Sequence, residues 1–231
     1  GAVDLESRDI SDLLERALYN NALAGLSQEG STYFYDNKLE SDGSHQRWEW
    51  HPCPCCTMNV ARLVASIGGY VFGLAEDEIA LHLYGGAAAT LPVAGGSASV
   101  TESSSYPWDG AIRITVAAEG AKEFALSLRI PSWCQGAAIR INGASHPVNT
   151  ERGYARIRRA WGANDVVELD LSMPAERLWA HPDVGADVGR VALRHGPMIY
   201  CLEGQDQAEP LHRLRLPRDG ALSSRFRPDL L

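Results

Sequence analysis

The chain has 231 residues, of which 45% are hydrophobic and 22% charged, with a formal net charge of −8. This length can bury a proper core in one or two domains, and an acidic balance with no offsetting basic stripe argues against a nucleic-acid surface. No segment approaches the length of a membrane-spanning helix, and no secretory leader is legible at Gly1-Ala2-Val3, which reads as an arbitrary cut rather than a natural start.

The first predicted element is a helix in which Ile10, Leu13, Leu14, Ala17 and Leu18 form one apolar stripe, with Ser7 or Asp9 as N-cap and Gly25 near its end. Residues 27–52 are polar and aromatic without a clean period, and read as a long functional loop or a short hairpin around Tyr33-Phe34-Tyr35. Helical spacing returns over 60–71, where Val60, Leu63, Val64, Ile67, Tyr70 and Val71 recur every three or four positions. That helix is expected to end at Gly68-Gly69 or slightly beyond.

From residue 77 the period becomes two. Ile79, Leu81 and Leu83 alternate with Ala80, His82 and Tyr84; Ile112, Ile114 and Val116 repeat the signal, as do Phe124, Leu126, Leu128 and Ile130. Further strands fit 137–142, 154–158, 166–171 and 190–201, separated by Gly95-Gly96, Asp109-Gly110, Asn142-Gly143 and Gly162-Ala163-Asn164-Asp165. Asn142-Gly143 is a two-residue hairpin signal. Arg156, Arg158 and Arg159 along one of these strands read as a solvated face. Short strands at this spacing predict an antiparallel sandwich rather than alternating α/β units. The expected division is a helical piece over 1–76 and a β-sandwich region over 77–231. Two or three helices with one apolar stripe each cannot close a core, and the tail from Pro217 to Leu231 carries no closing signal, so both ends are expected to continue in a longer parent.

Chemistry concentrates in Cys53-Pro54-Cys55-Cys56, with Asn59 just after. Three thiols within four positions, at the entrance of the second helix, meet unpaired backbone N–H groups and a positive dipole end that favour thiolate. Pro52 and Pro54 are expected to hold the approach extended. Only Cys134 and Cys201 lie elsewhere, an odd total of five that does not suit a disulfide framework, and both are expected to be buried and inert. A self-contained zinc ribbon needs a second ligand pair, and none is present. The residues alone therefore support metal ligation, thiolate nucleophile chemistry or both, against a minority reading as small buried hydrophobes.

Four ordered blocks carry a resemblance. Leu14-Glu15-Arg16-Ala17-Leu18-Tyr19-Asn20, Phe34-Tyr35-Asp36-Asn37-Lys38-Leu39-Glu40, Cys55-Cys56-Thr57-Met58-Asn59 with Ala61-Arg62-Leu63, and Gly189-Arg190-Val191-Ala192-Leu193-Arg194-His195-Gly196-Pro197 resemble blocks of the zinc-dependent β-L-arabinofuranosidases of glycoside hydrolase family 127. The resemblance implies an (α/α)6 catalytic barrel, of which residues 1–76 would be the last helices, followed by antiparallel β-sandwich. It implies a retaining glycosidase that removes non-reducing-end β-L-arabinofuranosyl residues through a cysteine thiolate on Zn2+. By position, Cys55 resembles the nucleophile and Cys56 a companion zinc ligand, with Glu15 and Tyr35 where the family contacts substrate.

The implied partner is an arabinofuranoside-containing oligosaccharide or glycoconjugate, with no nucleic acid or membrane. The acid/base Glu and a Glu-x-Cys zinc pair of the family find no counterpart in these residues, so the chain by itself is expected to be inactive. Thr57-Met58 and Lys38 stand where relatives often carry prolines. Reduced thiolates point to the cytoplasm.

Glu40, Asp42 and Glu49 are expected to be solvated, and His45 and His51 to be hydrogen-bonding loop groups, with His51 also a possible ligand beside Cys53. Trp48 and Trp50 suit either sugar stacking or loop anchoring. Two rival readings remain: an accessory carbohydrate-binding sandwich using Trp108, Trp133, Trp161 and Trp179, most of which read as core or turn anchors, and a structural zinc module pinning helices to sandwich.

Overall fold

The computed structural model describes residues 8–36, 38, 40 and 43–227. Ser7, Asn37, Leu39, Asp42 and the last residues of the tail lie outside the described residues. Among the described residues no helix is long and apolar enough to cross a membrane.

Two helices come first. Helix α1 runs Arg8–Ala17 and continues into a π-helical turn Leu18–Ala22; helix α2 runs Cys55–Ser66 and closes in a 3-10 turn Ile67–Tyr70. Fourteen strands follow, all after residue 71: β1 (Phe72–Ala75), β2 (Glu78–Leu81), β3 (Ala87–Val93), β4 (Gly96–Ser104), β5 (Ala111–Glu119), β6 (Phe124–Arg129), β7 (Ala137–Ile141), β8 (Ala144–His146), β9 (Thr150–Glu151), β10 (Tyr154–Arg159), β11 (Asp165–Leu171), β12 (Ala175–Leu178), β13 (Ala192–His195) and β14 (Met198–Tyr200).

They form a five-stranded sheet β1-β2-β6-β10-β9, a six-stranded sheet β3-β4-β5-β11-β7-β8, and a three-stranded sheet β12-β13-β14. Among the described residues the named strands pair antiparallel except β2 with β6, which run parallel. The exception has a topological cause, since β2 and β6 are joined by the long excursion through the other sheet.

The two larger sheets face each other across one apolar core. Ile79, Leu81, Phe124, Leu126, Leu128 and Ile157 from the first sheet meet Val100, Ile112, Ile114, Val116, Ile139, Val167 and Leu169 from the second. Alternation places these side chains on the inner faces. Strand β6 is buried at every position, because its outer-face residues Ala125, Ser127 and Arg129 are covered as well. Asn142 and Gly143 at φ 52° and 82° make the expected two-residue hairpin between Ile141 and Ala144. The earlier glycine turn is shifted by one residue: Ala94-Gly95 turn, at φ 50° and 79°, and Gly96 already pairs with Val93. Residues 190–201 are a hairpin of β13 and β14 rather than one strand, broken at Gly196-Pro197. The arginine strand is an ion-paired, half-exposed face, with Arg156 on Glu78 at 2.9 Å and Arg158 on Asp77 at 2.6 Å and Glu123 at 3.0 Å.

Helix α1 turns a polar face to the sandwich, and of its expected apolar stripe only Leu18 is buried, with Leu14 half-buried. Its inward residues are Ser11, Asp12 and Glu15, while Ile10 and Leu13 are 45% and 65% exposed. The reason lies on β6. Arg129 is fully buried and needs anionic partners. Its guanidinium donates to Asp12 Oδ1 at 2.6 Å, to both oxygens of Glu15, and through Nε to the His82 carbonyl at 2.5 Å. Ser132 N–H donates to Asp12 Oδ2 at 2.9 Å, and Tyr84 Oη donates to the Arg129 carbonyl at 2.7 Å. A helix is thus pinned to a sandwich by charge rather than by apolar packing. Burial is the largest single influence on Arg129 and opposes its charge, but Glu15, Tyr106 and Tyr84 together outweigh it and raise the pKa.

Beside this network His82 is buried, with Nδ1 at 2.6 Å from Tyr154 Oη. Burial first, and the Arg129 charge second, pull its pKa from 6.5 down to about 4. The native state thus refuses a proton that the unfolded chain accepts. The histidine is without effect on stability above about pH 6.5 and destabilises progressively as pH falls toward about 4, by up to about 3 kcal/mol. Urea unfolding across this window should show a shallower decline for His82→Gln than for the wild type; parallel curves would refute the assignment.

Candidate active site at a thiol turn

The three clustered cysteines sit where the periodicity implied. Cys55 and Cys56 open α2, and Pro54 is its N-cap residue at φ −83°, ψ 19°. Pro54 therefore folds the chain back, contrary to the extended approach expected of it, and this fold brings the flanking cysteines together. Cys53 Sγ lies 3.6 Å from Cys55 Sγ, and Cys55 Sγ 3.8 Å from Cys56 Sγ. Cys53 and Cys55 are exposed and Cys56 is half-buried. Asn59 braces the first turn: its Nδ2 donates to the Cys55 carbonyl at 2.7 Å, and its Oδ1 accepts from Arg62 at 2.7 Å. The Cys-Cys-x-x-Asn spacing thereby acquires a structural reason, since position i+4 on a helix lies over the carbonyl of position i.

The preceding loop folds onto the turn. Tyr33 is buried and pairs with Trp48 through backbone bonds of 3.0 and 2.8 Å, and also bridges to Leu26, so among the described residues this stretch is a loop held by isolated bridges rather than a hairpin. Tyr33 Oη accepts the His51 N–H at 3.1 Å. The Cys53 N–H lies 3.1 Å from His51 Nδ1. The same Nδ1 lies 3.2 Å from the Cys53 carbonyl, so the ring braces Cys53 through its backbone. Its ring stacks on Tyr35 at 3.9 Å and meets Trp48 edge-on at 4.8 Å.

Tyr35 is brought directly to the thiols. Cys56 Sγ donates to its carbonyl at 3.5 Å, and its hydroxyl hydrogen-bonds with Cys55 and Cys53. Negative charge on Cys53, then on Cys55, pushes the Tyr35 pKa up to about 12, so the phenol keeps its proton. A protonated phenol beside a thiolate is a hydrogen-bond donor to it. A cleft of about 540 Å³ opens next to this loop, lined by Asp36, Lys38, His45, Arg47 and Trp48. Phe34 stacks on His45 at 4.3 Å, with the Arg47 guanidinium 4.2 Å over its ring.

Glu15 is occupied elsewhere. It is 1% exposed. One oxygen accepts from Arg129 and Tyr106, the other from Trp133 Nε1 at 3.1 Å and from Arg129 at 3.4 Å. Four donors fill the four lone-pair directions of a carboxylate, and none of the contacts at the thiol turn involves it. Its place is in the α1–sandwich junction, which periodicity could not reveal because the partner Arg129 lies 114 residues away.

Glu40 is exposed and 3.4 Å from Arg190, and Glu49 is exposed. Trp48 and Trp50 are 45% and 67% exposed. Of the other tryptophans, Trp133 and Trp161 are core residues as expected, whereas Trp108 and Trp179 keep exposed faces. Cys134 is half-buried, and Cys201 is exposed rather than buried, because β14 ends at Tyr200 and leaves it on the surface.

Comparison with known proteins adds the following. Family profiles match in chain order: the β-L-arabinofuranosidase GH127 catalytic domain over residues 5–69, the GH127 middle domain over 78–173, and the glycoside hydrolase family 127 C-terminal domain over 175–228. The chain is similar to the non-reducing end β-L-arabinofuranosidase of Bifidobacterium longum subsp. longum, at 32% identity over 99% of this chain and 38% of that protein. Its fold is similar to a GH127 β-L-arabinofuranosidase from Geobacillus stearothermophilus T6, with a TM-score of 0.92 at 42% identity, covering 97% of this chain and 37% of that one. A second GH127 β-arabinofuranosidase gives a TM-score of 0.86 at 33% identity over 90% of this chain and 35% of its own. The chain thus spans little more than a third of the length of these relatives. Its three matched segments follow one another in the order of a single family architecture, and the chain belongs to glycoside hydrolase family 127.

Proposed function

We propose that this chain is part of a retaining β-L-arabinofuranosidase that releases non-reducing-end β-L-arabinofuranosyl residues, with Cys55 as nucleophile. The observation that carries the reading is the turn of three thiols at the start of α2, inside the segment similar to the GH127 catalytic domain. An exposed sulfur at a helix N-terminus can attack an anomeric carbon. The sugar is then held on Cys55 as a thioglycoside, and water displaces it with net retention. Asn59 holds the Cys55 backbone, and the Tyr35 hydroxyl donates to the attacking sulfur. We place α1 and α2 at the end of an (α/α)6 barrel, which gives the exposed Ile10, Leu13 and Val64 neighbours to pack against.

The thiols also fit zinc. Two sulfurs bound about 2.3 Å from a tetrahedral zinc stand about 3.8 Å apart, which matches the 3.8 Å between Cys55 and Cys56. Among the described residues no group of three or more His, Cys, Asp or Glu side chains converges as a metal site, so Cys55 and Cys56 would supply two donors and the rest of the set would come from the longer protein. Bound zinc would keep the Cys55 sulfur ionised at neutral pH. The carboxylic acid that protonates the departing oxygen would also lie in the longer protein. Exposed thiols are stable in a reducing compartment, which supports a cytoplasmic location.

The test is hydrolysis of p-nitrophenyl β-L-arabinofuranoside, with zinc content, on this chain and on a form extended upstream by a barrel's worth of residues. Turnover and about one zinc in the longer form alone would support the reading. Tight zinc with no nitrophenol released would make the site structural instead. In the active form, Tyr35→Phe removes one hydrogen bond to a charged sulfur, and kcat/KM should fall about tenfold to a hundredfold. Wild-type kinetics in that variant would remove Tyr35 from the site.

A further inference from the structure

We propose that Cys53 and Cys55 form a reversible disulfide when the chain meets a small disulfide oxidant such as oxidised glutathione, making the Cys53-Pro54-Cys55 turn a redox modification site. Four observations carry this. The two sulfurs lie 3.6 Å apart, so side-chain rotation of modest extent brings them to the bond length of about 2.05 Å. Pro54 at ψ 19° folds the chain between them, whereas an extended Cys-x-Cys would hold the Cα atoms about 7 Å apart, beyond the usual disulfide range. Both residues are exposed, so an oxidant reaches them. The third sulfur competes poorly: Cys55 and Cys56 are adjacent residues of α2, and a bond between them would enclose a planar trans peptide in an eight-membered ring.

The step balances without further reagents. One thiolate attacks a sulfur of oxidised glutathione and expels one glutathione thiolate. The second protein thiolate then attacks the protein sulfur of that mixed disulfide and expels the other glutathione. Two protein thiols lose two electrons and two protons, and one glutathione disulfide becomes two thiols. The bond takes the Cys55 sulfur away from any sugar or metal, so oxidation switches the site off and a dithiol restores it. Only this consequence for catalysis rests on Cys55 being the nucleophile; the bond itself does not.

The experiment is thiol mapping on the chain in EDTA after exposure to oxidised glutathione and alkylation of the remaining thiols. Trypsin releases Trp48–Arg62 as one peptide carrying all three cysteines. The expected product is lighter by two hydrogens, carries one alkyl group on Cys56, and regains three alkylatable thiols with dithiothreitol. In Cys53→Ser the same treatment should leave a glutathione adduct on Cys55 and no internal link. Three alkyl groups in the oxidised wild type, a link between Cys55 and Cys56, or identical adducts in both proteins would overturn the proposal. No sugar enters this measurement, so a missing disulfide leaves the glycosidase reading untouched, and that reading stands or falls on the hydrolysis assay.

Discussion

Replacing Arg129 with methionine should lower the unfolding free energy by about 3–5 kcal/mol, the range for removing one partner of a buried ion pair. The side chain is fully buried and faces two carboxylates, Asp12 and Glu15, that are themselves 7% and 1% exposed. Methionine fills much of the volume but leaves both acids without their cation. Tyr106, Trp133 and Ser132 still donate to them, yet neutral donors do not cancel two buried charges. The chain can respond in two ways. It can protonate Glu15, or it can release α1 from the sandwich to hydrate the pair.

Urea unfolding at pH 7 measures the loss, and amide exchange in 8–17 distinguishes detachment of α1 from global weakening. Adding Asp12→Asn and Glu15→Gln to the Arg129→Met background should recover part of the stability, because the uncompensated charges disappear with the cation. Arg158→Met serves as the control: Arg158 is paired with Asp77 and Glu123 on an exposed face, where solvent screens an ion pair and it contributes little. If Arg129→Met and Arg158→Met cost the same, the junction is not held by this network.

Cys55→Ser in the form extended upstream should abolish turnover of the nitrophenyl arabinofuranoside, by at least about a thousandfold, as the loss of a covalent nucleophile does in other enzymes. A hydroxyl at that position is neither ionised nor comparably nucleophilic at neutral pH. The fold should be unaffected, since Cys55 is exposed and is held through its backbone carbonyl by Asn59, and unchanged urea midpoints would confirm that. Cys56→Ser is expected to act differently, lowering zinc content together with activity. Cys53→Ser should leave turnover under reducing conditions close to wild type. Full activity in Cys55→Ser would transfer the nucleophile's role to another group and end the present assignment.

Local signals made much of this protein legible in one dimension. The change from helical to alternating periodicity was legible at residue 77, because side chains on a strand alternate between faces and those on a helix recur every three to four residues. The short strand β1 (Phe72–Ala75) fell inside the expected helical piece and was missed. The Asn142-Gly143 hairpin was readable because its two positive φ angles demand such residues. The grouping of Cys53, Cys55 and Cys56 at a helix start needed no tertiary information, since four consecutive positions cannot lie far apart. The four resembling blocks likewise carried the family.

Long-range partners decided the remainder. The parallel pairing of β2 with β6, the strands β3 and β4 with their Ala-Ser-Thr composition, and the third sheet depend on which segments meet, which no local pattern specifies. Helix α1 is the clearest case. Its apolar residues satisfy the rule for an amphipathic helix, but a buried arginine on β6 draws Asp12 and Glu15 inward and turns Ile10 and Leu13 outward. A buried guanidinium without anionic partners is costly, so Asp12 and Glu15 take the face toward the sandwich and the aliphatic face is turned away from it. Likewise His51 becomes a brace, and Pro54 a fold that sets two sulfurs together, only once Tyr33, Tyr35 and Trp48 have closed over the turn.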